Sequence, residues 1–149
     1  FCDLYNCLDK IAHLTAYYYV KEKGVLPKDI YFNWLQSEDF KKIVVENNSY
    51  QLLALRNLSL DFENGYQYYH LRCIRNKITH SFLGIYQGWS SNDDKFKDYR
   101  IEENEFIERT FLLFSIVKAA LIYFKISVDQ TKPEGDLFSM PTSFEKAYF

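Results

Sequence analysis

An all-α helical bundle of about four or five main helices is what this chain predicts, on three observations. Apolar residues recur at spacings of three and four along most of its length, no strand-like alternation of any extent occurs, and capping residues punctuate the breaks between periodic stretches. The 149 residues predict one domain, and 48% apolar content with 19% aromatic supplies a sizeable core. Five glycines, three prolines and a net charge of −2 exclude the collagen-like, low-complexity and disordered classes.

The first helix is predicted from about Phe1 to Glu22, with Phe1, Leu4, Leu8, Ile11 and Thr15 in phase, lysines at positions 21 and 23, and Gly24 as its stop. The aromatic connector "VLPKDIYFNWLQ" follows. Ser37 caps a short helix with Glu38 and Asp39 in its first turn, Phe40, Ile43 and Val44 as its apolar edge, and Asn47 and Asn48 at its end. Ser49 caps the next helix, in which Leu52, Leu55, Leu58 and Phe62 keep the period up to Asn64 and Gly65. A fourth helix is expected over Tyr66 to about Gln87, with Leu71, Ile74, Ile78, Phe82 and Ile85 facing the core. The fifth, about Ile101 to Ile126, is expected to bury Phe106, Phe111, Phe114, Val117, Leu121 and Phe124. Residues 1–128 form the expected helical domain, and 129–149, with Pro133 and Pro141, an irregular tail docked through Phe138 and Phe144.

The chain opens on Phe1 already in helical phase, so a fragment of a longer protein is expected. Three cysteines, Cys2, Cys7 and Cys73, do not make a disulfide framework, and a cytoplasmic location is the expectation. No uninterrupted apolar run reaches the roughly 18 residues of a bilayer span. The longest, "FLLFSIVKAALIYF", contains Lys118, so no membrane association is expected.

The informative segment is "IRNKITHSFLGIY", residues 74–86, where arginine, asparagine, lysine and histidine are threaded through an apolar helix. At about 100° per residue, the core set spans roughly 0 to 80° from Ile74, and Arg75, Thr79, Arg72, Asn76 and His80 follow between roughly 100 and 240°. A polar, cationic face therefore lies opposite the core stripe. From Tyr66 to Ser91 there are twenty-six residues without Asp or Glu, where a chain with twenty acids would place about three or four. That window holds Arg72, Arg75 and Lys77, with His70 and His80 able to add charge, and an anion is its natural partner. A structural alternative pairs the arginine and histidine with a carboxylate of a neighbouring helix, Asp61 or Glu105.

"RNKITH" resembles the R-x4-6-H signature of the HEPN superfamily, which typically carries Asn, Asp or His after the arginine. The resemblance covers residues 1 to about 126 and implies metal-independent endoribonuclease activity in a domain that dimerises through its motif helix. Arg75 and His80 lie about 140° apart on the wheel and roughly 7.5 Å apart along the axis, so one protomer does not easily close both onto one phosphate. A twofold pair supplies two of each.

On this resemblance Arg75, Asn76 and His80 are the catalytic residues. His80 would move a proton to or from RNA, Arg75 would hold the non-bridging oxygens, and Asn76 would orient one of the two. Arg72, Lys77 and Thr79 would contact RNA, with Trp89 stacking a base. The expected products are a 2′,3′-cyclic phosphate and a 5′-hydroxyl, and DNA, which lacks the 2′-OH, should be inert. The implied setting is a toxin or defence protein whose longer chain carries regulatory domains. The alternative is a non-catalytic HEPN-like dimerisation or RNA- or nucleotide-binding module. A toxin branch of the superfamily has a modifiable tyrosine two residues after the histidine, and this chain has Phe82 there, which puts that regulation in doubt.

No C-x-x-C or H-x3-5-H spacing is present, so no zinc site is expected. The five glycines form no phosphate-cradling loop, and no cofactor is expected.

Overall fold

The computed structural model describes residues 1–20, 30–63, 65–80, 83–86 and 100–131, and five α-helices dominate them. They are α1 (Cys2–Val20), α2 (Glu38–Asn47), α3 (Tyr50–Leu60), α4 (Tyr69–His80) and α5 (Glu103–Thr131). The expected all-α class holds. Lys21, Lys23, Gly24, Asn64, Phe82, Trp89, Phe138 and Phe144 lie outside the described residues.

Local signals set most boundaries. The Ser37 Oγ accepts from the Phe40 N–H at 3.2 Å and the Ser49 Oγ from the Leu52 N–H at 3.3 Å, so both predicted serine caps satisfy free amides of a first turn. Asn48 closes α2 at φ 45°, a left-handed conformation that asparagine tolerates better than most residues.

α1 buries Tyr5, Leu8, Ile11, Ala12, Thr15 and Ala16, and the buried Thr15 hydroxyl is satisfied by the Ile11 carbonyl at 2.7 Å. Within the aromatic connector, Phe32–Gln36 winds into a 3₁₀ turn that buries Phe32 and Leu35. Three side-chain bonds fasten this turn. The Phe32 N–H donates to the Asp9 carboxylate of α1 at 2.8 Å, Gln36 Nε2 donates to the Ser59 carbonyl of α3 at 2.7 Å, and Arg56 of α3 donates to the Gln36 carbonyl at 3.3 Å.

Below it, Phe62 is 2% exposed and meets Tyr5, Phe32 and Tyr68 at centroid distances of 5.8, 5.6 and 5.7 Å. The first two are edge-on, the arrangement favoured by opposed ring quadrupoles. One ring thus ties together α1, the 3₁₀ turn and the chain entering α4.

Several expectations need correction. The fourth helix starts at Tyr69 and ends at His80, and Gly84–Tyr86 (β1) pairs in parallel with Arg100–Glu102 (β2), Ile85 opposite Ile101. The helical period that runs through Ile74 and Ile78 to Ile85 therefore crosses a change of structure. Leu71 and Ile74 are buried as expected, but Ile78 and Ile85 are exposed.

The fifth helix extends to Thr131, three residues into the expected tail. It also buries a partly different face: of the expected set Val117 is buried and Phe124 packs against the core. Leu113, Ile116, Val117 and Ala120 pack into the core, while Phe111, Phe114 and Leu121 are 69%, 56% and 47% exposed. Apolar residues surround this helix, so periodicity does not select the face that meets α1 and α3. By length and composition α5 could also cross a bilayer, contrary to the expectation from run length, although it packs as a bundle helix against α1 and α3.

Because Phe62 joins three elements, truncation removes edge-on contacts in three directions. Phe62→Ala should cost about 3–5 kcal/mol in urea-induced unfolding, the usual range for a buried phenylalanine. Val45→Ala, at a position 73% exposed, should change stability little in the same assay.

Candidate functional site

Tyr5 and Asp9 are four residues apart on α1 and so share one of its faces. That face, the polar side of α4 and the 3₁₀ turn border an open cavity of about 310 Å³. Arg72, Arg75, Asn76 and His80 line it from α4, Tyr5 and Asp9 from α1, and Tyr31, Asn33 and Gln36 from the turn and its approach. Phe32 and Phe62 belong to the same wall, so the aromatic cluster that holds the elements together also backs the cavity.

Arg75 is half-buried and held on two sides. Its guanidinium carbon lies 5.5 Å from the centroid of the Tyr5 ring, and its Nη1 donates to the Asn76 Oδ1 at 3.2 Å. The ring attracts the cation through its quadrupole, and the amide fixes the guanidinium plane. A guanidinium carries five N–H groups, so donors other than the one held by Asn76 can meet an anion.

Burial raises the pKa of the Tyr5 hydroxyl above its ordinary value; Asp9 raises it further, and Arg72 and Arg75 act in the opposite sense. Tyr5 is therefore a protonated donor at neutral pH. Asp9 and the two arginines line the same cavity as this hydroxyl.

Most of the predicted face is assembled in this cavity, and part of it is not. Arg72, Arg75, Asn76 and His80 line one space within a single protomer, although the helical wheel separates Arg75 from His80 by about 140°. The concave wall supplied by α1 and the turn brings both under one roof. Lys77 and Thr79 do not line it. Trp89, expected to stack a base, falls outside the described residues.

Glu105, a suggested carboxylate partner for the motif, instead lies 3.5 Å from Arg109. Tyr5, Asp9, Tyr31 and Asn33 were not singled out from the sequence. The i,i+4 spacing of Tyr5 and Asp9 puts them on one face, but only the fold sets that face against α4.

His70 has a separate role. Its Nε2 lies 3.0 Å from Arg109 Nη1, and because the guanidinium can only donate, this nitrogen is the acceptor of a neutral imidazole. Burial and then Arg109 push its pKa down, against smaller opposing effects of the Gln67 backbone and Glu105. His70 thus adds no charge to the helix at neutral pH, contrary to the expectation from composition.

The chain matches the family model described as LA2681-like HEPN over residues 1–131. Comparisons with curated proteins and with solved structures give no match.

The lowered pKa of His70 predicts a pH effect with a definite sign. Below about pH 6.5 the unfolded chain takes up a proton that the folded state resists, so stability is complete above that pH and falls as the pH drops toward the folded value. Thermal unfolding between pH 7.5 and 5.5 should lose more stability in the wild type than in His70→Gln, which keeps an acceptor for Arg109 but cannot titrate.

Proposed function

The chain belongs to the HEPN superfamily, in its LA2681-like branch, and on that premise we propose that it is a metal-independent endoribonuclease whose site is the cavity between α1 and α4. The observation that carries this reading is the meeting of Arg72, Arg75, Asn76 and His80 in one space large enough for more than a single ion.

In the proposed reaction the ribose 2′-oxygen attacks the adjacent phosphorus in line. A base takes the 2′ proton, an acid gives one to the departing 5′-oxygen, and the products are a 2′,3′-cyclic phosphate and a 5′-hydroxyl. His80, exposed at the last turn of α4, is the proton-transfer group. Imidazoles exchange protons near neutral pH and suit either step. Arg75, pre-oriented by Tyr5 and Asn76, donates to the non-bridging oxygens as their charge grows, and Arg72 adds to the field. Neither step draws on a metal ion.

Among the described residues His80 is the one histidine that lines the cavity, which leaves the second proton transfer to a partner copy. We place a homodimer through the motif helix, so that a second His80 reaches the phosphorus from the opposite side. Exposed Ile78 on α4 and exposed Ile85 on β1 support a contact there, since apolar side chains interleaved with the polar motif suit an interface. The same proposal has a cytoplasmic protein of the toxin or defence type with RNA as its partner, no membrane association, and regulatory domains in a longer chain.

The second reading is a non-catalytic binding module, in which the same residues hold RNA or a nucleotide without cleaving it. Asp9 contributes a carboxylate to the same cavity, and a phosphodiester bound there has to tolerate it.

Cleavage assays separate the two readings. His80→Ala should lower RNA cleavage by about 10² to 10⁴, the usual contribution of a general acid or base, with fold and dimer intact. Arg75→Ala should be comparably damaging, and Arg75→Lys should recover little because an ammonium cannot replace the planar fork. EDTA should have no effect, and DNA should not be cut. Wild-type protein that cuts neither single-stranded nor structured RNA in a His80-dependent manner would assign the cavity to binding alone. Light scattering should show a dimer burying at least about 1,000 Å²; full activity from a strict monomer would remove the shared site.

A further inference from the structure

The cavity has two chemically different halves. The α4 half carries Arg72, Arg75 and His80, which suit a phosphate. The half built by the 3₁₀ turn and its approach carries Tyr31, Asn33 and Gln36, an aromatic ring and two amides, and the one carboxylate beside them, Asp9, is engaged by the Phe32 N–H. At about 310 Å³ the space falls at the small end of pockets that hold whole small molecules, roughly 300–1,000 Å³. Its volume and its division both exceed what a phosphate alone requires.

We propose that the turn half is a nucleobase subsite, in which Tyr31 stacks on one unpaired base of the substrate and the amides of Asn33 and Gln36 read its edge. The proposal rests on the reading of the α4 half as the phosphate site.

Tyr31 is 54% exposed, so its ring is available to a ligand. Gln36 is fixed, because its Nε2 already donates to the Ser59 carbonyl at 2.7 Å. The amide plane is therefore set before a base arrives, and a carboxamide carries an acceptor oxygen and a second N–H besides the one so used. A carboxamide presents a donor beside an acceptor, the pattern that side-chain amides use to recognise base edges. The turn is itself anchored to α1 through Asp9 and to α3 through Arg56, so the subsite sits on rigid elements.

Stacking needs an open base face and amide reading needs a free base edge. The substrate class is accordingly single-stranded RNA, or a loop within a folded one, and a continuous duplex is excluded.

The test measures binding and does not depend on turnover. Inorganic phosphate, ribose 5-phosphate and the four 5′-ribonucleotides are titrated into the protein, followed by calorimetry and by amide shifts. At least one nucleotide should bind about tenfold or more tightly than ribose 5-phosphate, the gain that one base stacked on an aromatic ring supplies. Tyr31→Ala should remove that gain and Tyr31→Phe should keep it, while both bind ribose 5-phosphate like the wild type. The Ala variant should fold, because Tyr31 bonds to the turn through its backbone carbonyl, which accepts from the Trp34 N–H at 2.8 Å; retained helical circular dichroism checks this.

Nucleotides that bind no better than ribose 5-phosphate, or that do not bind at all, overturn the subsite. So does a gain that survives in Tyr31→Ala. Cleavage dependent on His80 alongside base-independent binding would leave the nuclease standing without the subsite. Base-dependent binding without any cleavage would leave the subsite and remove the nuclease.

Discussion

Phe62 is the ring on which the remaining geometry depends. It is nearly fully buried, and its edge-on contacts with Tyr5 and Phe32 set α1 and the 3₁₀ turn at a fixed separation, while its contact with Tyr68 fixes where the chain enters α4. Each of those elements then contributes one wall of the cavity. Tyr5 belongs to both systems, with its ring edge-on to Phe62 and beneath the Arg75 guanidinium. The orientation of the most constrained cation in the cavity is thus a consequence of core packing, which is how a small helical domain can hold a charged group in place without burying it fully.

Charge around the cavity follows the same plan. α4 carries its arginines on one side and directs His70 to another, where Arg109 and burial hold the imidazole neutral. Asp9 offsets part of the positive field and also accepts the Phe32 N–H, so a single carboxylate tempers the electrostatics and anchors the opposite wall. Its removal would therefore act on structure as well as on charge. Arg109, paired with Glu105 of its own helix α5, reaches across to His70 of α4, which ties the register of the motif helix to the long helix of the bundle.

Legibility in the sequence divides along physical lines. Serine caps at Ser37 and Ser49, the end of α2 at Asn47 and Asn48 and the buried faces of α1, α2 and α3 follow from local chemistry, and they were readable because the backbone satisfies its own hydrogen bonds within a few residues. The polar face was readable too, since helical spacing sets Arg72, Arg75, Asn76 and His80 opposite the core stripe, although their meeting in one space depends on the wall of α1 and the turn. α5 was not, because Phe111, Phe114 and Leu121 are as apolar as Leu113, Ile116 and Ala120, and the choice between the two faces is made by α1 and α3. The paired strands were also missed: three residues each give too short a pattern, and their register depends on a partner far along the chain. Half of the cavity was hidden for a similar reason, as Tyr31, Asn33 and Asp9 acquire a common purpose only when the 3₁₀ turn is fastened to α1.

The central claim is that one cavity, walled by α1, α4 and the 3₁₀ turn, receives the phosphate on which the chemistry occurs. A crystal structure of the protein with a short RNA that carries a 2′-O-methyl group at the attacking position would test this most directly, because the methyl group blocks attack and leaves the phosphate in place. The account predicts a phosphate inside the cavity, accepting hydrogen bonds from Arg75 and lying beside His80. A phosphate bound along Lys77 and Thr79, outside the cavity, or a cavity left empty with Arg75 still against Tyr5, would contradict it.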